Sequence, residues 1–402
     1  MGARSSKNNN PSATNIDGHL VEYFRNSLKT RDFGTIVPPE PTTPQGLTAT
    51  GGVISDYTDP GPGNVYRAHV FTSSGKFDVS ELSGILPNEV EYLVVAGGGA
   101  GGSHYGAGGG AGGLRTNLSG HPLAGSTFPV GTSPGEYAVV VGGGGKAPPA
   151  APSPKGTDGS QSTFDSITSA GGGAGGANGG APQHPGNTGG SGGGDKQGGS
   201  GAIGNTPPFS PSQGFPGGGG SSPGSNAGGG GGAGGAGTGG ANSYSGNGGA
   251  GVQVAIAGPT ATTFTGVGAK NPANDQYQYF AGGGAGGGAG PVIGTAGLGG
   301  GGQAHPNPSP NGLMNTGGGG GGRSGPGTDQ GQGGSGIVVV RYQIGRVASQ
   351  KATGGKVSYY NDKTIHTFTN SGTFTTPGSF NETVEYLAVG GGGGGGTQHA
   401  GG

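Results

Sequence analysis

The chain has 402 residues, with 111 glycines and 30 prolines that together make up about 35% of it, and no cysteine. A formal net charge of −1 with only 9% charged residues gives no electrostatic footprint for DNA, RNA or an anionic membrane, and the lack of cysteine removes disulfides, thiolate nucleophiles and cysteine-based zinc sites. So much glycine and proline without a strict period usually marks low complexity, yet the high net charge that keeps a disordered chain open is missing.

Residues 1–16 are polar and asparagine-rich and read as an arm. They lack the apolar core of a secretory signal, and no run of about 18 apolar residues exists anywhere to span a bilayer. MGARSS at the start fits the loose myristoylation pattern, which is too short to carry weight. In residues 17–28, Leu20, Val21, Phe24 and Leu28 recur at helical spacing behind Asp17 as N-cap, which predicts one short amphipathic helix. A single helix has no core of its own, so its apolar face must rest on the following domain or on a larger assembly. Residues 37–48 are a proline-rich spacer.

From Leu47 the pattern turns to β. Val53, Tyr57, Tyr66, Ala68, Val70 and Phe71 precede Ser73-Ser74-Gly75, and Phe77 and Val79 follow it, which predicts a hairpin about that turn. VEYLVVA (90–96) is continuously apolar enough to be a buried strand. Further strands are expected at 137–141, 163–168, 252–256, 262–267 and 337–342. Phrases recur about 300 residues apart: Ala49-Thr50-Gly51-Gly52 as Ala352-Thr353-Gly354-Gly355, His69, Phe71, Gly75 and Phe77 as His366, Phe368, Gly372 and Phe374, and Glu91-Tyr92-Leu93 as Glu385-Tyr386-Leu387. A repeat of that period predicts one domain over 49–344 and the start of a second, incomplete copy over 345–402. The expectation is that the natural polypeptide is longer, or that another chain completes the fragment.

Between the strands lie glycine tracts. Glycine loses more backbone freedom on folding than any other residue, so such tracts are either linkers or rods of polyproline-II geometry that pair N–H and C=O with their neighbours. The tracts are punctuated by turn-forming pieces at His104-Tyr105, Ala181-Pro182-Gln183-His184-Pro185, Pro207-Pro208-Phe209 and His305-Pro306, suited to reversing rods at their ends. That segmentation favours a bundle. Collagen is excluded because glycine keeps no every-third register.

Two motifs tempt and fail. Gly97 to Gly102 satisfies G-x-G-x-x-G after a strand, but no amphipathic helix follows and no acid lies about 20 residues on. Gly142-Gly143-Gly144-Gly145-Lys146 hints at a P-loop, but Val140 stands at its first glycine position and Ala147 where Ser or Thr belongs. Eight histidines show no i, i+4 pair with a supporting carboxylate, and no nucleophile elbow appears. The reading is therefore no enzyme, no cofactor and no metal.

The phrases GLTATGGVISDY, YRAHVFTSSGKF, VEYLVVAGGGAGG and GGSGIVVVRY resemble, over roughly residues 45–402, the glycine-rich domains of tail-fibre-like and other virion appendage proteins of marine cyanobacterial phages. The opening NNNPSATNIDGHLVEYFRNSL is similar to the virion-proximal end of such proteins. Polyglycine-helix bundles of phage adhesins, and the glycine-rich domain of anaplastic lymphoma kinase with its jelly-roll-like sandwich, share the strand-into-glycine arrangement; no kinase motif is present. The resemblance implies an all-β fold, a jelly-roll-like β-sandwich with an inserted polyglycine-II helix bundle, in tandem repeat behind a short N-terminal anchor helix. It implies a structural virion protein, a phage tail fibre attaching the particle to the host surface. A capsid or neck decoration fibre is the alternative within the class, and a polysaccharide hydrolase or an ice-binding protein lies further off.

On this reading residues 1–36 anchor the chain to other virion proteins through Leu20, Val21, Phe24 and Leu28. Rod-end loops carrying His104, Tyr105, His184, Phe209 and His305 contact a host glycan or protein, unless those residues merely cap the rods. No nucleic acid and no membrane insertion are expected. A homotrimer would stiffen a slender fibre, though no heptad run specifies one.

Overall fold

The computed structural model describes residues 46–390, apart from short internal stretches at 59–63, 148–154, 222–225, 261–266, 305–310 and 347–351 and a few isolated positions beyond 327. The anchor-helix residues Leu20, Val21, Phe24 and Leu28, the candidate His305 and most of the strand expected at 262–267 lie outside the described residues.

The architecture is all-β. Among the described residues the helical content is one 3-10 turn, Ala181–Gln183, and no helix is long and apolar enough to cross a membrane. Two antiparallel sheets face each other. One has the order β1 (Thr48–Thr50), β4 (Gly75–Glu81), β8 (Glu136–Val140), β9 (Ser162–Phe164), β10 (Ile167–Ser169). The other has the order β2 (Val53–Thr58), β3 (Asn64–Phe71), β13 (Ile337–Arg346), β5 (Glu89–Val95), β6 (Leu114–Thr116), with β7 (Phe128–Pro129) also paired to β5. A two-stranded sheet of β11 (Val252–Gln253) and β12 (Tyr279–Phe280) covers part of the second sheet's outer face.

The continuous apolar runs follow from two cores. Val90, Tyr92 and Val94 of β5 and Val338, Val340 and Tyr342 of β13 face the first sheet, where they meet Phe77, Val79, Tyr137 and Phe164. The alternate residues, Leu93, Val95, Ile337 and Val339, face outward onto Val254, Ile256 and Phe280. A strand buried on both faces cannot alternate with polar residues. Within the first core, the Phe164 ring lies 4.8 Å from Phe128, tilted by 44°, and 6.0 Å from Phe77, the latter in the edge-on geometry that aromatic quadrupoles prefer.

Two strand expectations need correction. Residues on either side of Ser73-Ser74-Gly75 do not form a hairpin: β3 pairs with β2 and β13, whereas β4 pairs with β1 and β8. The turn instead carries the chain from one sheet to the other, and Phe71 and Phe77 reach the same core from opposite layers. Residues 163–168 are not one strand but the hairpin β9–β10, reversed at Asp165 with φ 47°.

One buried ion pair joins sequence-distant residues. Arg341 of β13 donates to Glu91 of β5 at 2.6 Å and to the Tyr57 hydroxyl at 2.7 Å, and its guanidinium lies 4.2 Å over the Tyr66 ring. Burial pushes the Tyr57 hydroxyl up to about 12 despite that cation, so Tyr57 stays protonated and donates to the Ile256 carbonyl at 2.8 Å.

The glycine tracts are bonded to one another. Residues 106–113 run alongside six other segments. Their N–H groups go in rotation to three of them: Ala107, Gly110 and Gly113 donate to Gly176, Gly173 and Ala170; Gly108 and Ala111 to Gly228 and Gly231; Gly109 and Gly112 to Gly320 and Gly317, all at 2.8–3.0 Å. Their carbonyls accept from three more: Ala96, Gly99 and Gly102 donate to Gly113, Gly110 and Ala107; Ser191 and Gly194 to Ala111 and Gly108; Gly284 and Gly287 to Gly109 and Gly106. This settles every amide in a stretch without β-ladder or helix, as buried backbone requires. The approach is too close for side chains: a Cβ on Gly230 would stand 1.9 Å from the Gly109 carbonyl oxygen. Alanine appears where a methyl fits, at the fully buried Ala100, Ala107, Ala111, Ala174 and Ala285.

The repeated phrases fold alike. β14 (Lys356–Tyr360) and β15 (Lys363–Thr367) pair as β2 and β3 do, with Lys356 opposite Thr367 as Val53 is opposite Val70. His366 bonds to the Gly354 carbonyl at 2.7 Å, as His69 does to that of Gly51, and each glycine has φ 110°.

Candidate contact surface

The mutually hydrogen-bonded glycine segments have two ends. At one, Ala96, Leu114 and Gly336 adjoin β5, β6 and β13 of the sandwich. At the other, the chain reverses away from the strands. Following the hydrogen bonds outward from the strands places residues 103–105, 177–184, 241–245, 288–293 and 323–327 together at that far end.

His104 and Tyr105 make the first reversal, both in the left-handed region with φ 51° and 55°, an uncommon conformation outside glycine that marks a sharp turn. Their amides donate to the carbonyls of Gly327 and Gly325 at 3.1 and 3.2 Å, and the Gly327 N–H donates to His104 Nδ1 at 3.1 Å. That bond requires the unprotonated Nδ1. Both rings remain partly exposed, edge to face at 6.4 Å. His184 closes the 3-10 turn, and its carbonyl accepts from Lys196 at 2.9 Å; it belongs to the same end.

Phe209 does not. Its ring lies 4.3 Å under the Arg115 guanidinium of β6, in a loop whose Thr206 donates to Gly189 and whose Gln213 accepts from Ala170 at the sandwich end. The rod direction, invisible in composition, separates it from His104.

The far end carries apolar residues that the sequence reading passed over. Tyr244 is 47% exposed, Val292 57% and Ile293 38%. They are held together because Ser245 donates to the Val292 carbonyl at 3.0 Å, and because the buried Asn226 bridges their loops, donating to Ala241 at 2.7 Å and accepting from Gly290 at 2.9 Å. Their signal was available: Ser243-Tyr244-Ser245 and Pro291-Val292-Ile293 punctuate glycine runs as His104-Tyr105 does. Such a cluster of exposed aromatic and apolar groups is suited to contact. Arg323 sits beside it, largely buried, with Asp329 at 3.6 Å.

The amides of the first glycine motif are taken up between glycine segments. All six N–H groups of residues 97–102 donate to carbonyls, of Ser160, Gly334, Gly110, Thr157, Gly331 and Ala107 in turn, leaving none for a pyrophosphate. Gly145 likewise donates to Gly98. Among the described residues no group of three or more His, Asp and Glu is placed to hold a metal ion.

The strands and glycine segments define an all-β, glycine-rich domain. The chain belongs to the glycine-rich domain family, whose model matches residues 72–343, about two thirds of its length. Among curated proteins no match to the chain is found.

Proposed function

We propose that the protein is a structural component of a virion, a phage tail fibre that presents its rod ends to the host surface. On this reading the two large sheets form a jelly-roll-like sandwich, and the glycine segments are polyglycine-II helices inserted between its strands. Three residues per turn at roughly 3.1 Å rise would send successive amides toward three directions, and this is the pattern of residues 106–113, whose donors rotate among three neighbours. That rotation is the observation that carries the proposal: a rod tied to six others is stiff along its length, and stiffness is what a projecting fibre needs. Its far end carries Tyr244, Val292 and His104 for contact, while residues 1–36 join other virion proteins. No catalytic step is assigned; the far end offers groups suited to contact.

The test is localisation. Antibodies raised against the chain should label particles at the tail tip. Label on the capsid or neck would make it a decoration fibre without a host-range role, and absence from purified particles would remove the virion reading.

A further inference from the structure

The chain has no cysteine and so no disulfide, yet one side-chain cluster beside the glycine segments has the parts of a different covalent staple. Lys155 Nζ donates to Asn187 Oδ1 at 2.5 Å and to the Pro185 carbonyl at 2.5 Å. On the other side of the same carboxamide, Asn187 Nδ2 donates to Asp158 Oδ1 at 2.8 Å. Amine, carboxamide and carboxylate thus stand in line. Each is held from elsewhere. The Ala174 N–H donates to the same Asp158 oxygen at 2.7 Å. The Asn187 N–H donates to the Ala174 carbonyl at 2.8 Å, and the Asn187 carbonyl accepts from Gly193 at 2.9 Å. The buried Asp195 accepts from the Gly186 N–H at 2.7 Å, which fixes the turn that carries Asn187.

These groups in this order are equipped for amide exchange. Since a C=O bond is about 1.2 Å long, Nζ is no further than about 3.7 Å from Asn187 Cγ, close to the roughly 3–3.5 Å of reacting atoms poised for attack. Lys155 and Asn187 are both half-buried. Burial lowers the Lys155 pKa below its ordinary 10.5, against the pull of Asp158 and Asp195, and so raises the share of free amine, the form that carries a lone pair.

We propose that Lys155 and Asn187 become joined side chain to side chain by an amide bond, formed by the chain itself with Asp158 as proton carrier. The Nζ lone pair attacks Cγ, and the Asp158 carboxylate takes the proton that Nζ loses and passes it to Nδ2. The bond between Cγ and Nδ2 then breaks and ammonia leaves. One C–N bond forms and one breaks, nothing is oxidised or reduced, and no co-reactant is needed. The link spans 32 residues of sequence and ties the stretch around residue 155 to the turn between the glycine segments 171–176 and 189–194. Like a disulfide, it restricts the unfolded chain. It does not rest on the virion reading.

The experiment is mass spectrometry of the purified 402-residue chain, intact and after denaturation and trypsin. Trypsin cuts after Lys146, Lys155 and Lys196. The linked chain should yield residues 147–196 as one piece, uncut after Lys155 and lighter by one ammonia than its sequence. Lys155→Arg should restore the cut and the full mass, and should melt several degrees lower. Asp158→Ala keeps both partners and should leave the ammonia in place in most molecules, while unchanged slow amide exchange at 171–176 shows that the fold is intact. A full-mass wild-type chain, cut after Lys155, would overturn the proposal. So would a loss of ammonia that survives Lys155→Arg, which is the mark of a succinimide at Asn187 and not of a cross-link. Linkage as complete in Asp158→Ala as in the wild type would overturn the role of Asp158.

Discussion

Gly230 and Gly109 meet backbone to backbone: a Cβ added to Gly230 would lie 1.9 Å from the Gly109 carbonyl oxygen and 2.3 Å from its carbon. The glycine tracts therefore pack by the absence of side chains at such contacts, with peptide groups and a few alanine methyls between the segments. Gly230→Ala must push two rods apart and break bonds on both. The expected loss is about 3 kcal/mol, at the upper end for overpacking. Gly143, in another tract, has nothing within 4 Å of its would-be Cβ, and Gly143→Ala should change stability by less than about 0.5 kcal/mol. Chemical denaturation of the two variants compares them directly.

The ion pair between Glu91 and Arg341 ties β5 to β13 within one sheet, across 250 residues of sequence. Arg341→Met leaves the partly exposed Glu91 carboxylate with the Ser119 N–H and removes the donor to Tyr57, and about 2 kcal/mol of stability should go with it. Adding Glu91→Gln should restore part of that loss, because the stranded charge is then gone. A double-mutant cycle in urea gives the coupling.

Burial lowers the pKa of His69 below its ordinary 6.5, even though the Gly51 carbonyl opposes the shift. His121 is lowered for the same reason. A base that is harder to protonate when folded takes up its proton preferentially in the unfolded chain. Its contribution is therefore complete above pH 6.5 and is lost as pH falls from there toward the folded-state pKa. Each histidine adds at most about 1.4 kcal/mol per pH unit of slope in that window. His69→Gln should lower stability at pH 7.5 and flatten the slope just below 6.5, read by thermal unfolding across a pH series.

At the far end of the rods, Tyr244 and Val292 are exposed and support no core. The double variant Tyr244→Ser and Val292→Ser should keep the melting temperature within a few degrees, since surface changes are usually within about 0.5 kcal/mol. On the proposed tail-fibre reading, attachment of the purified protein to susceptible cells, scored by cell-bound fluorescence, should fall several-fold. Unchanged attachment would move the contact elsewhere.

What could be read from the sequence was what local pattern dictates. Residues 90–96 and 337–342 were recognisable as strands because a strand covered on both faces is apolar throughout. The hairpin expected at Ser73-Ser74-Gly75 failed because alternation tells which residues point inward and not which sheet they belong to; Phe71 and Phe77 point to one core from two layers. The partnership of Glu91 with Arg341 leaves no local trace, since a charge inside an apolar run shows that a partner is needed and not which residue of another strand supplies it. At the candidate surface, punctuation of glycine runs located His104, Tyr105 and His184 at turns. It could not tell which end of a rod each turn occupies, so Phe209 was grouped with them although it lies beneath Arg115.

The central claim is that glycine amides are bonded between segments rather than to water, and amide hydrogen exchange tests it most directly. Residues 97–102, 106–113, 228–233 and 282–287 should exchange orders of magnitude more slowly than free peptide, with protection comparable to that of β5 and β13. Exchange of those glycines at free-peptide rates, while β5 and β13 stay protected, would mean a minimal sandwich with unstructured insertions, and would contradict the bundle.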